Sequence, residues 1–108
     1  MQENWDNSDT QELFKAILAL KDIKEAKSFF RDLLTEPEIK EFASRWKAAK
    51  MLDQKVPYLN ISKNTGLSST TIARISKWLN EGKGGYRLML NRLADHHHAS
   101  SSFGKGLH

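Results

Sequence analysis

The sequence predicts an all-α fold of about six helices. Apolar residues recur at spacings of three and four rather than two. Proline and glycine are sparse in the first 65 residues, and both prolines stand where helices can begin. With 108 residues, 39% of them hydrophobic, the chain supports one domain with a thin core. Residues 1–8 are expected to be disordered, 9–93 to form the folded domain, and 94–108 to be a flexible tail.

Each element follows from a start signal and an apolar stripe. Asp9, with Glu12 three residues later, predicts the cap of a first helix carrying Leu13, Phe14, Ile17 and Leu18 on one face. Asp22 predicts the cap of a second, on which Ile23, Ala26, Phe29, Phe30, Leu33 and Leu34 repeat. Thr35, Pro37 and Glu38 mark the start of a third, running to about Gln54 through Ile39, Phe42, Ala43, Trp46 and Ala49. Pro57 opens a short fourth helix, about 57–64, that ends before Gly66. Ser68 caps a fifth, about 68–80, and a glycine-rich break precedes a last helix from Tyr86 to Leu93. Trp46 and Trp78 both fall in helical stripes and are expected in the core. The stripe containing Phe14, Ile17, Phe29 and Phe30 exceeds what the remaining helices can cover, so a homodimer is expected.

Charge and composition narrow the function. The formal net charge is +4. Residues 1–36 hold five Lys/Arg against eight Asp/Glu, whereas residues 37–92 hold eleven against four. An acidic first third and a strongly basic remainder point to a polyanionic partner for the latter. The absence of cysteine excludes disulfides and Cys-based zinc sites. No apolar run approaches the roughly 18 residues of a membrane span, and MQENWDNSDT lacks the layout of a signal peptide, so the cytoplasm is the expected compartment. No carboxylate pair, activated nucleophile or phosphate-cradling loop stands out, and GKGGY lacks nucleotide-loop spacing. An enzyme is not expected, nor a cofactor. His96, His97, His98 and His108 are read as incidental, with no functional metal.

The fourth and fifth helices have the layout of a helix-turn-helix. Ser62 is small where the two helices approach, Gly66 can take the positive φ of a sharp turn, and Ile61, Leu67, Ile72 and Ile75 form the apolar wedge between them. In such a unit the first turn of the second helix enters the major groove of DNA. Here that turn carries Ser69, Thr70 and Thr71, whose hydroxyls can bond phosphates or base edges and whose methyls can touch thymine. Arg74, three residues after Thr71, can fork onto guanine or phosphate, and Lys77 follows on the same helix. Lys63, with Lys47, Lys50 and Lys55, fits phosphate contacts that orient the domain.

The segments FKAILALKD, FFRDLLTEPEI, ASRWKAAKML and ISKNTGLSSTTIARISKWLNEGKGGYRLML resemble the Trp-repressor-like proteins, most closely their YerC/YecD group. The resemblance covers roughly Leu13 to Leu93. It implies a Trp-repressor-like helix-turn-helix domain, an intertwined homodimer sharing one core, and binding of double-stranded DNA by a transcriptional repressor, with half-sites about 34–36 Å apart. It also implies a ligand pocket. Aligned on LLT, Thr35 corresponds to the pocket threonine, Arg45 to the arginine beside the indole, and Arg74 to the arginine holding the carboxylate. The next residue is glycine in the repressor and Ile75 here. A branched side chain fills the space an indole needs, so the expected effector is not tryptophan, and Arg45 and Arg74 are read as structural or as binding another small carboxylate. The competing reading is a non-catalytic protein-interaction module built on the same scaffold, which exposure of Trp46 or Trp78 would favour.

Overall fold

The computed structural model describes residues 4–94, and every regular element among them is helical. The order is α1 (Ser8–Leu18), α2 (Ile23–Leu33), α3 (Glu36–Asp53), α4 (Tyr58–Thr65), α5 (Ser69–Glu81) and α6, residues 85–94. The chain divides within α3, after Lys40, into two compact units. His96, His97, His98 and His108 lie outside the described residues, as does the expected tail apart from Ala94, which is helical.

The first unit is built on caps. Asn7, not Asp9, caps α1: its side chain accepts the Thr10 N–H at 3.1 Å, and the Asn7 N–H returns a bond to the Thr10 hydroxyl at 2.9 Å. This reciprocal pair satisfies two otherwise orphaned donors. Asp9 sits within the first turn instead, where its charge complements the helix dipole. Of the stretch expected to be disordered, residues 1–3 lie outside the described residues, and Trp5 meets Phe14 edge-on with centroids 6.5 Å apart. Asp22 caps α2 by accepting the Glu25 N–H at 2.8 Å, and the Glu25 carboxylate accepts the Lys21 N–H at 2.9 Å.

Thr35 and Glu38 form the box at the start of α3. The Thr35 N–H and hydroxyl both donate to Glu38 Oε1, at 2.9 and 3.0 Å, and the Glu38 N–H donates to Thr35 Oγ1 at 3.3 Å. The backbone bond from Thr35, then its hydroxyl, hold the Glu38 carboxyl below its ordinary pKa. A lowered carboxylate pKa stabilises the fold above the ordinary range, and that contribution is lost as pH falls through the lowered value. Neither α1 nor α2 contains a buried residue, although Phe14, Leu18, Ile23 and Leu33 stand exposed on them.

The second unit contains the core. Ala48 and Ala49 on α3, Ile61 on α4, Leu67 in the turn, and Ile72 and Ile75 on α5 are buried together. Burying each Ile contributes about 1.5–3 kcal/mol. The alanine pair leaves α3 without bulk at this point, which lets the isoleucines seat against it. All four residues expected in the wedge are in place.

Three left-handed residues punctuate this unit: Lys55, Gly66 and, in the break before α6, Gly84 at φ 89°. Where α3 ends, the Val56 N–H reaches the Met51 carbonyl and the Lys55 N–H reaches the Leu52 carbonyl, both at 3.0 Å. These are the paired bonds of a Schellman ending, with Lys55 at φ 66° where glycine is usual. Gly66, at φ 77°, ends α4 and donates its N–H to the Ser62 carbonyl at 2.8 Å. A side chain in the left-handed region costs about 1–2 kcal/mol. Lys55→Gly is therefore expected to raise stability by about 0.5–1 kcal/mol, net of the looser unfolded chain. Gly66→Ala is expected to lower it by about 1 kcal/mol. Urea titrations of the two variants should move in opposite directions.

Candidate nucleic-acid interface

The turn between α4 and α5 is held by side chains that its sequence supplies. Ser62 donates its hydroxyl to the Leu67 carbonyl at 2.8 Å, and Thr65 donates to the Ile61 carbonyl at 2.8 Å while accepting the Leu67 N–H at 3.2 Å. Ser62 is thus more than a small residue at a crossing point; it ties the first helix to the turn. Ser68 caps α5, its oxygen accepting the Thr71 N–H at 3.1 Å.

The three hydroxyls in the first turn of α5 separate by role. Ser69 and Thr70 are exposed. Thr71 is half-buried, and its hydroxyl oxygen accepts a bond from the Ser68 hydroxyl at 3.0 Å. The Thr71 hydroxyl can still donate, but its position is set by the cap. Beyond the first turn, Ala73, Arg74 and Lys77 are exposed, while Ile72, Ile75 and Leu79 face the core. Thr70, Ala73, Arg74 and Lys77 are three or four residues apart and share one face of the helix.

The charges on this face are uncommitted. Among the described residues, no ion pair or hydrogen bond engages the heads of Arg74, Lys77 or Lys63. Arg87, by contrast, pairs with Asp53 at 2.8 Å, a link between α6 and the end of α3 that no local sequence signal announces. Lys63 is exposed near the end of α4, and Lys47 and Lys55 are exposed as well. Lys50 lies over the Trp46 ring, 6.0 Å from its centroid.

The two other residues expected at a ligand pocket are occupied locally. The Thr35 hydroxyl belongs to the cap of α3. Arg45 donates to Glu41 Oε2 from two nitrogens, at 2.9 and 3.2 Å, and its guanidinium lies over the Phe42 ring, 5.9 Å from the centroid. Ile75 is only 3% exposed and belongs to the core cluster.

Of the two tryptophans expected in the core, Trp46 packs against it and Trp78 does not. Trp46 is half-buried and stacks on Tyr86, centroids 6.4 Å apart with an interplanar angle of 15°. Burial raises the Tyr86 pKa, opposed in part by the charge of Arg45. Trp78, expected in the core, is 51% exposed. Its neighbour Leu79 takes the buried position instead, and Trp78 lines an open groove of about 460 Å³ with Trp46, Lys83, Gly85, Tyr86 and Met89. Among the described residues, no group of three or more His, Cys, Asp or Glu is placed to hold a metal ion. No helix among them is long and apolar enough to cross a membrane.

The profile of the Trp repressor protein family matches residues 8–94. The uncharacterised YerC protein of Bacillus subtilis is 39% identical over 94 residues, spanning 87% of this chain and 90% of that one. Among solved structures, a TrpR-like protein from Eubacterium eligens is 40% identical with a TM-score of 0.82, over 86% of this chain and 96% of its own. A candidate Trp repressor from Staphylococcus aureus is 37% identical with a TM-score of 0.80, over 87% and 95% respectively.

Proposed function

The chain belongs to the Trp repressor family, a regulatory DNA-binding family, and from that premise we propose that it is a homodimeric, cytoplasmic transcriptional repressor. It reads specific double-stranded DNA by inserting α5 into the major groove. The observation that carries this reading is the face of α5. Ser69, Thr70, Arg74 and Lys77 stand exposed, their side chains unengaged among the described residues, on a helix whose opposite face is locked into the core. A helix anchored on one side and uncommitted on the other is suited to reading base edges.

Roles follow from chemistry. Arg74 forks onto guanine O6 and N7. Ser69 and Thr70 bond base edges or phosphates, and Thr71 donates from within the cap. Lys63 and Lys77 neutralise phosphates and orient the domain. The dimer is supported by the first unit, where two helices carry large apolar side chains and bury none of them within the chain. A second copy covers these faces.

Selection of bound duplexes from a random library tests the reading. The expected product is a two-fold symmetric site whose halves repeat about one helical turn apart. Affinity should fall with salt at a slope of about 0.9 per phosphate neutralised. Random sequence among the selected duplexes would rule out specific reading.

The effector, if the protein takes one, is not tryptophan. Ile75 occupies the core beside Arg74, the Thr35 hydroxyl is bonded to Glu38 in the cap of α3, and the Arg45 guanidinium is bonded to Glu41. Calorimetric titration with L-tryptophan is expected to give no saturable heat at micromolar ligand. A saturable isotherm would overturn this.

The exposed Trp78 favours a second reading, a non-catalytic protein-interaction module. It predicts a partner retained in a pull-down after nuclease treatment, with no sequence preference on DNA.

A further inference from the structure

We propose that Thr70 and Ala73 together read the C5-methyl group of a thymine, placed within two base pairs of the guanine taken by Arg74. This rests on the DNA-reading proposal above and assigns part of the half-site from the surface of α5. Ala73 is exposed on the reading face, between Thr70 and Lys77 and next to Arg74. It can neither donate nor accept a hydrogen bond from its side chain. Among the groups that base pairs present in the major groove, only the thymine methyl rewards a bare methyl.

Thr70 supplies a second methyl. Residues three apart on a helix bring their Cβ atoms to about 5–6 Å, so the exposed Thr70 and Ala73 methyls are near enough to meet one methyl group of a base together. The contrast with Thr71 matters here. Thr71 is fixed by its bond from Ser68, whereas no hydrogen bond among the described residues holds the Thr70 side chain. Thr70 is therefore free to turn its methyl toward the thymine methyl and its hydroxyl toward a phosphate or base edge. The small size of both residues also lets the helix approach the base edges closely, bringing Arg74 within reach. Thr70 and Arg74 are separated by about 6 Å along the helix axis. With base steps of about 3.4 Å, that spans fewer than two steps.

The test uses the full chain and the duplex recovered by selection. Each thymine in a half-site is replaced in turn by deoxyuridine, which removes only the methyl group. One position near the guanine is expected to lose about fourfold in affinity per half-site, the worth of one buried methyl. Thr70→Ser, which keeps the hydroxyl, and Ala73→Gly should each shrink that penalty. Coupling between the protein methyl and the DNA methyl then appears as a non-additive double-mutant cycle. Thr70→Ser keeps the test valid if Ala73→Gly weakens the helix.

A selected site without thymine within two base pairs of the guanine would overturn the inference. So would a site bound equally well with uracil at every position, or a uracil penalty unaffected by both variants. Failure to select any specific duplex is a different result and overturns the DNA-reading proposal together with this one.

Discussion

Arg74→Ala is expected to weaken binding to the selected operator by about 1–3 kcal/mol per half-site, the worth of a bidentate contact to guanine. Discrimination at that base pair should relax at the same time. The fold should hardly change, because Arg74 is exposed, pairs with nothing among the described residues, and sits in a helix interior where alanine is favoured. Competition binding against the operator and against a duplex with that guanine replaced separates the two effects. Lys63→Ala is the control. A phosphate contact carries no sequence information, so all duplexes should weaken together. The salt slope should drop by about 0.9 for each phosphate no longer neutralised. If Arg74→Ala behaved as Lys63→Ala does, Arg74 would be a phosphate contact, and reading would have to rest on Ser69, Thr70 and Thr71.

Ile72→Ala is expected to cost about 2–5 kcal/mol. Ile72 is 0% exposed and lies where α3, α4 and α5 meet, so its truncation leaves a cavity that rigid neighbours cannot close. A loss of this size is a large share of the roughly 5–15 kcal/mol typical of a domain. It should also loosen the angle between α4 and α5, so operator affinity should fall even where the protein remains folded. Leu59→Ala is the comparison: Leu59 is equally apolar but 66% exposed, and the change should stay within about 0.5 kcal/mol. Denaturant titrations at one protein concentration distinguish the two, since any self-association then contributes equally to both. Equal losses would mean that the wedge does not set the stability of this unit.

Local chemistry made much of the fold and part of the candidate site legible. Asp22, the Thr35–Glu38 box, Ser68 and Gly66 act within three or four residues of themselves, and a single strand of sequence contains both partners of each bond. Ile61, Leu67, Ile72 and Ile75 were legible together because a two-helix unit needs apolar residues at fixed offsets. Both Asn7 and Asp9 stand three residues before a hydroxyl or carboxylate, but it is Asn7 and Thr10 that bond in both directions, while the Glu12 carboxylate pairs with Lys15.

On α5, periodicity alone leaves Trp78 and Leu79 equivalent, since they follow Ile75 by three and four residues and both spacings return to the same face. Only the surface the helix packs against selects Leu79 and turns Trp78 outward. The same holds for Thr70 and Thr71, one free and one drawn into the cap, and for the Asp53–Arg87 pair across 34 residues. By itself, then, the amino-acid order determined the helices, their ends, the wedge and the basic character of the chain beyond residue 36. Which side chain at each ambiguous position faces outward was decided by tertiary packing, because burial depends on the neighbour that arrives and not on the spacing that invites it.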